Sequence, residues 1–360
     1  MEPVYVPEST LRFIMYWTAA TMAVVLASPT WAASQRDRHD CEANDPDRSI
    51  AGCTRILQGR GETAQNRGMA YNKRGNAWRN KGEYDRAIAD YNEAIRLNPK
   101  YADAYNSRGI AWRVKGEYDR AIADYNEAIR LDPKDADACY NRANAWSDKG
   151  DLDRAIADYS EAIRLNPKYT DFYYSRGIAW RDKGDLDKAI ADYNEVIRLD
   201  PKDATAYFNR AIANFFAGSP PKALADFHQA SELDPKDAYA ALWLDIVNRR
   251  SNLTGHLAQA TGQLDMTKWP APLIRLFLGQ STQDAVLAAA VDPDAKKKQG
   301  QVCEANFYSG EFALMQGTKE KAADLFRLAA ADCPDSHERW AANAELKALG
   351  LTSQSRAHSD

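Results

Sequence analysis

The chain has 360 residues, 45% of them apolar, and its 47 basic and 51 acidic residues leave a formal charge of −4. Charges of both signs are interspersed, so the basic stripe that nucleic-acid binding needs is missing, and the run Lys296–Lys298 reads as a solvated loop. The apolar share is large enough for a continuous core.

The chain opens with an apolar stretch from Phe13 to Ala27, followed by Ser28, Pro29 and the small-residue run Thr30, Trp31, Ala32, Ala33. A bilayer span takes about 20 apolar residues, so this stretch reads as the core of a secretory signal over residues 1–32, cleaved after Ala32, with an uncleaved anchor or a start at Met15 or Met22 as the alternatives. Arg12 is the only basic residue ahead of it. On this reading the protein is exported to a bacterial periplasm or beyond and meets the membrane only through its signal. Five cysteines, at 41, 53, 139, 303 and 333, suit an oxidising compartment in which four of them pair.

Residues 33–67 read as an N-terminal cap. Ile50, Cys53, Ile56 and Leu57 fall at helical spacing and predict a short amphipathic helix over about 47–58. Cys41 and Cys53 flank its entry, and a disulfide closing so short a loop is worth roughly 3 kcal/mol in the chain-entropy model.

From Gly68 the sequence repeats. KGEYDRAIADYNEAIRL occurs at 81–97 and again at 115–131, with altered copies at 149–165 and 183–199, always 34 residues apart. A fixed period of this kind means stacked helical units, here at 68–101, 102–135, 136–169, 170–203 and 204–237. In the first, Tyr71, Gly75 and Trp78 share one helical stripe. Gly82 then closes that helix, Glu83 favours the start of the next, and Pro99 ends it. Gly75 and Gly109 (Ala143 in the third unit) are placed opposite Ala87, Ala121 and Ala155, so that two backbones approach closely.

Tyr, Gly or Ala, aromatic, Ala, Tyr or Phe, Ala and Pro at unit positions 4, 8, 11, 20, 24, 27 and 32 resemble the tetratricopeptide repeat. The resemblance implies an all-α fold, a right-handed superhelical solenoid of antiparallel helix hairpins. The fifth unit departs most, with Asn214 at position 11 and Pro220-Pro221 entering its second helix.

After Asp237 the period breaks, and 238–302 reads as an irregular helical segment: an apolar helix at 238–248, then shorter helices near 271–279 and 281–290. Counting from Cys303, the small, aromatic and proline positions return, giving a sixth unit at 303–336. A capping helix over about 336–349, with Trp340, covers the open end, and residues 337–360 complete the chain with a disordered tail. The stretches ALWL at 241–244, NFYSGEFALMQG at 306–317 and ADLFRLAAA at 323–331 resemble NlpI-type bacterial lipoproteins. That resemblance, over about 240–350, implies a periplasm-facing scaffold for cell-wall hydrolases and an envelope protease. No cysteine stands at the signal cleavage site, so lipid anchoring does not carry over.

Cys303 and Cys333 occupy positions 1 and 31 of their unit, where a hairpin brings the start of one helix beside the end of the next, and a second disulfide is expected there. Cys139 stands where neighbouring units have tyrosine and reads as a buried thiol. Arg74, Arg108, Arg142, Arg176 and Arg210 recur at position 7, and Asp90, Asp124, Asp158, Asp192 and Asp226 at position 23. They read as a ladder of structural pairs across each hairpin, or alternatively as arginines turned toward an acidic ligand.

The tetratricopeptide resemblance implies a concave face lined by first-helix positions 2, 5, 9 and 12. Position 5 carries Asn72, Asn106, Tyr140, Tyr174 and Phe208, position 9 Asn76 and Asn144, and position 12 Arg79, Arg113 and Arg181. Amides suit a peptide backbone and aromatics its side chains. The five histidines are scattered, and no metalloprotease, nucleophile-elbow or phosphate-loop motif occurs. No enzyme activity, cofactor or metal is expected. The sequence reads as an interaction scaffold that takes a protein or peptide partner, or alternatively as an exported spacer with no groove ligand.

Overall fold

A computed structural model describes residues 35–333 and 337–351; the expected signal and most of the tail lie outside them. The helices are α1 (Gln35–Cys41), α2 (Pro46–Gln58), α3 (Ala64–Asn80), α4 (Tyr84–Leu97), α5 (Ala102–Val114), α6 (Tyr118–Leu131) and α7 (Ala136–Asp148) in a first compact unit that ends at Lys149. The second unit holds α8 (Leu152–Leu165), α9 (Thr170–Lys183), α10 (Leu186–Leu199), α11 (Ala204–Phe216), α12 (Pro220–Leu233), α13 (Ala238–Arg250), α14 (Leu257–Ala260), α15 (Ala271–Phe277), α16 (Gln283–Ala289), α17 (Ala295–Met315), α18 (Lys319–Asp332) and α19 (His337–Ala348). Every described element is helical, and consecutive helices pair as hairpins, as a tetratricopeptide solenoid requires.

Each boundary has a local cause. Gly82, Gly116 and Gly184 sit at φ between +78° and +88°, the left-handed region that turns one helix into the next. Asp135 and Asp203 accept from the backbone N–H of Ala138 and Ala206 at 3.0 and 2.9 Å, capping α7 and α11. Pro220 begins α12, where its missing N–H costs nothing.

The glycine reading needs correction. A Cβ on Gly75 or Gly109 would lie 2.6 Å from the ring of Tyr91 or Tyr125, so the small residue makes room for the position-24 aromatic, not for the alanine of the second helix. Gly177 with Tyr193 and Gly310 with Phe326 repeat the arrangement. Tyr91, Tyr125 and Tyr193 are accordingly fully buried.

Helix α1 is absent from the sequence reading, and it gives α2 the partner that the expected cap lacks. Cys41 is its only large apolar contribution, and salt bridges do the rest: Arg48 to Asp40 at 2.7 Å and Arg55 to Asp40 at 2.6 Å, with Arg55 also on Asp37. Both expected disulfides are present. Cys41 and Cys53 have Cα atoms 4.5 Å apart, and Cys303 and Cys333 5.2 Å apart. Cys139 is buried and in neither bridge.

The arginine ladder is structural in both units. Arg108 donates from Nε and Nη2 to the two oxygens of Asp124, at 2.8 and 2.7 Å, and Arg74–Asp90, Arg176–Asp192 and Arg210–Asp226 repeat this fork. Burial pushes the carboxyls of Asp124 and Asp192 up, and the arginines pull them back. Removing one partner therefore strands a half-buried charge, a loss of roughly 3–5 kcal/mol. We expect Asp124→Ala to lower the stability by that much and Arg108→Ala/Asp124→Ala to lose less than the two singles summed. Equilibrium unfolding of the three variants checks it, and additive losses would contradict the pairing.

Candidate functional site

The first helices α3, α5 and α7 form one face of the first unit. Asn106 on α5 accepts from Nδ2 of Asn141 on α7 at 3.1 Å, and Arg113 pairs with Asp148 at 2.9 Å. Asn76 accepts from the Tyr91 hydroxyl at 2.8 Å, so the side chain that rises from the core is itself fixed. Arg79, Asn106, Arg113, Tyr140 and Asn144 are half-buried, as ligand-accessible side chains on a helix face would be. Asn72 is not: it is 5% exposed and donates to the Tyr101 hydroxyl at 3.4 Å, which corrects its expected place on an open face.

The same positions in the second unit meet different surroundings. Tyr174 accepts from Nδ2 of Asn209 at 2.8 Å, and its hydroxyl is pushed up by burial. Phe208 stands edge-on to Phe227 at 5.6 Å and lies 5.8 Å from the His337 ring. Arg181 is 6% exposed, which removes it from the expected open face. It forks onto Asp182 at 2.8 and 2.9 Å and donates from Nη1 to Nδ1 of His337 at 2.8 Å. Trp340 lies over its guanidinium and donates from Nε1 to the Arg181 carbonyl at 2.9 Å.

Helix α19 therefore does more than cover an open end: His337 and Trp340 reach first-helix residues of α9 and α11, with Trp340 also 5.0 Å from Phe216. Arg250 holds it from below, donating to Glu345 at 2.5 Å and Glu311 at 3.1 Å. Burial and the neighbouring Glu345 push the Glu311 carboxyl up.

Beside α19 lies a cavity of about 390 Å³ with Tyr174, Phe208, Tyr239, Glu304, His337 and Glu338 among its lining. Glu304 Oε2 accepts from the Tyr239 hydroxyl at 2.6 Å and from Trp269 Nε1 at 2.8 Å. Burial pushes this carboxyl up to about 7, helped by repulsion from Glu338. Apart from Tyr174 and Phe208, sequence reading missed this group, because its members come from α13, α17, α19 and the segment before α15, which share no period. Among the described residues no three side chains could hold a metal ion together.

Residues 72–136 and 140–204 match the tetratricopeptide repeat family. The hairpins built from those residues follow the tetratricopeptide repeat pattern. A tetratricopeptide repeat protein from Parabacteroides merdae ATCC 43184 shares the fold, with a TM-score of 0.53 and 17% identity over 76% of this chain and 96% of its own. MamA is 29% identical over 46% of this chain and 96% of its own, with a TM-score of 0.43. YrrB, described as a tetratricopeptide protein with an unusual peptide-binding site, is 25% identical over 53% and 96%, with a TM-score of 0.45. No curated protein matches the chain.

The folded protein holds the Glu304 proton up to about pH 7, against an ordinary value of 4.5. The cost of burying it as an anion is absent below 4.5 and complete above 7, so stability falls as pH rises through that window. We expect Glu304→Gln to flatten this decline, read as the denaturant midpoint across the same window; an unchanged slope would exclude Glu304 as a contributor.

Proposed function

We propose that this protein is a non-enzymatic scaffold that binds an extended segment of a partner protein along its first-helix face, after export. Tetratricopeptide repeats generally serve interaction rather than catalysis. The observation that carries the reading is the contrast between repeat halves. The second helices α4 and α6 are identical in sequence, YDRAIADYNEAIRL in both, whereas their first helices carry Asn76 and Ile110 at one half-buried position, and α7 places Tyr140 and Ser147 where α5 has Asn106 and Arg113. Asn106 and Arg113 there are held by bonds to α7, so a binding segment meets side chains already ordered.

Two disulfides fit an oxidising compartment. No described helix is long and apolar enough to cross a membrane. The apolar stretch at 13–27 supports export through a cleaved signal, and the resemblance of residues 240–350 to NlpI-type scaffolds supports a role in the cell envelope, with a cell-wall hydrolase or envelope protease as partner.

Selecting a displayed random decapeptide library on the full chain tests the scaffold reading. We expect enriched sequences whose binding weakens at least tenfold in Asn106→Ala/Tyr140→Ala and is unchanged in Glu127→Gln, a second-helix surface variant. No enrichment above a blank surface would favour a spacer with no groove ligand. Equal losses in both variants would move the site off the first-helix face.

A further inference from the structure

The cavity beside α19 combines aromatic walls with carboxylates and no lysine or arginine among its lining residues. Tyr174 and Phe208 stand at one side, and Tyr239, Glu304 and Glu338 at another. Both donors to Glu304 reach Oε2, so among the described residues no hydrogen bond is made to Oε1. His337 forms part of the wall as a neutral ring. Arginine can only donate, so the Arg181 bond makes Nδ1 of His337 the acceptor, and the neutral ring carries its proton on Nε2. Burial and the adjacent Arg181 keep that ring neutral. Nε2 is itself shut off from solvent and has no partner among the described residues.

A Glu304 oxygen with no hydrogen-bond partner, a second carboxylate and aromatic faces together suit a desolvated cation, which would draw the proton off Glu304 as it docks. We infer that this cavity receives the lysine or arginine side chain of the partner segment, its cationic head at Glu304 and Glu338. The inference rests on the scaffold reading above and adds the charge of the residue that is recognised. A free carboxylate or phosphate is disfavoured, because no cationic group lines the cavity to meet it.

The decapeptides selected on the full chain supply the probe. We expect a basic residue at one register position in most of them. Replacing that residue by norleucine in a synthetic copy should weaken binding at least tenfold by fluorescence anisotropy, and Glu304→Gln/Glu338→Gln in the protein should weaken the basic peptide at least tenfold but the norleucine peptide little. The peptide-side substitution keeps the test valid should the double variant fold poorly. Peptides selected without a basic position, or bound equally with norleucine, would overturn the cation site and leave the scaffold reading standing. A library that yields no binders would overturn both.

Discussion

One side chain joins the stack in two directions. The position-7 arginine forks onto the aspartate of its own hairpin and, with its remaining Nη1, reaches the hairpin before it: Arg108 to Asn92 at 2.6 Å, Arg176 to Ser160 at 3.0 Å and Arg210 to Asn194 at 2.7 Å. Even the first repeat has this link, from Arg74 to Thr54 of the cap helix α2 at 3.1 Å. A planar guanidinium can do this because its donors leave in fixed, divergent directions; an ammonium would hold one partner or the other without setting the angle between them. Each of these arginines also lies over the tyrosine one turn earlier where one is present, 5.4 Å for Arg74 over Tyr71 and 5.3 Å for Arg210 over Tyr207. The pair is a directional contact. Its net worth is small, because burial opposes the carboxylate, and its effect is to specify how one hairpin sits on the next.

With that register fixed, the remaining core can be plain. Alanines at positions 20 and 27 and one large ring at position 24 fill most hairpins, and the glycine at position 8 exists to admit the ring. A second set of charges repeats on the outside, where Lys115 meets Asp85 and Lys149 meets Asp119. Its aspartates are largely exposed, and pairs of that kind are worth little each. The buried ladder and the exposed one look alike as sequence periodicities. Only burial separates the one that sets geometry from the one that decorates it.

The period of 34 made the hairpins legible, amphipathic spacing located α2 closely, and the short helices expected near 271–279 and 281–290 are α15 and α16. Helix α1 was invisible because a seven-residue helix held by Asp37 and Asp40 carries almost no apolar pattern. Position 8 was legible as small but its neighbour was not, since spacing says which residues share a stripe and nothing about which ring crosses to it. The first-helix face failed in a more informative way. Asn106 and Arg181 occupy equivalent kinds of position, yet Arg181 is covered by residues 156 and 159 positions later in the chain. Periodicity is a local signal, and a helix arriving from so far along the sequence leaves no mark on the repeat that it covers.

That arrival is what distinguishes the second unit's first-helix face. Repeats alone present a face of half-buried side chains, open along its length. In the second unit the aperiodic helices add a wall: α19 brings His337, Glu338 and Trp340 against residues of α9 and α11, while α13 and α17 supply Tyr239 and Glu304. The wall is held by Arg250, which is set between two buried glutamates and over the ring of Phe215 at 4.8 Å. Burying three ionisable groups to dock one helix costs more than an apolar contact of the same size would, and it fixes a single placement in return. A face assembled only from copies of one hairpin can bind along its whole length with little to choose between registers. On the proposed scaffold reading, a charged cavity built by the parts of the chain that do not repeat would give a bound segment one register, which places the search for recognition where the repeat gives out.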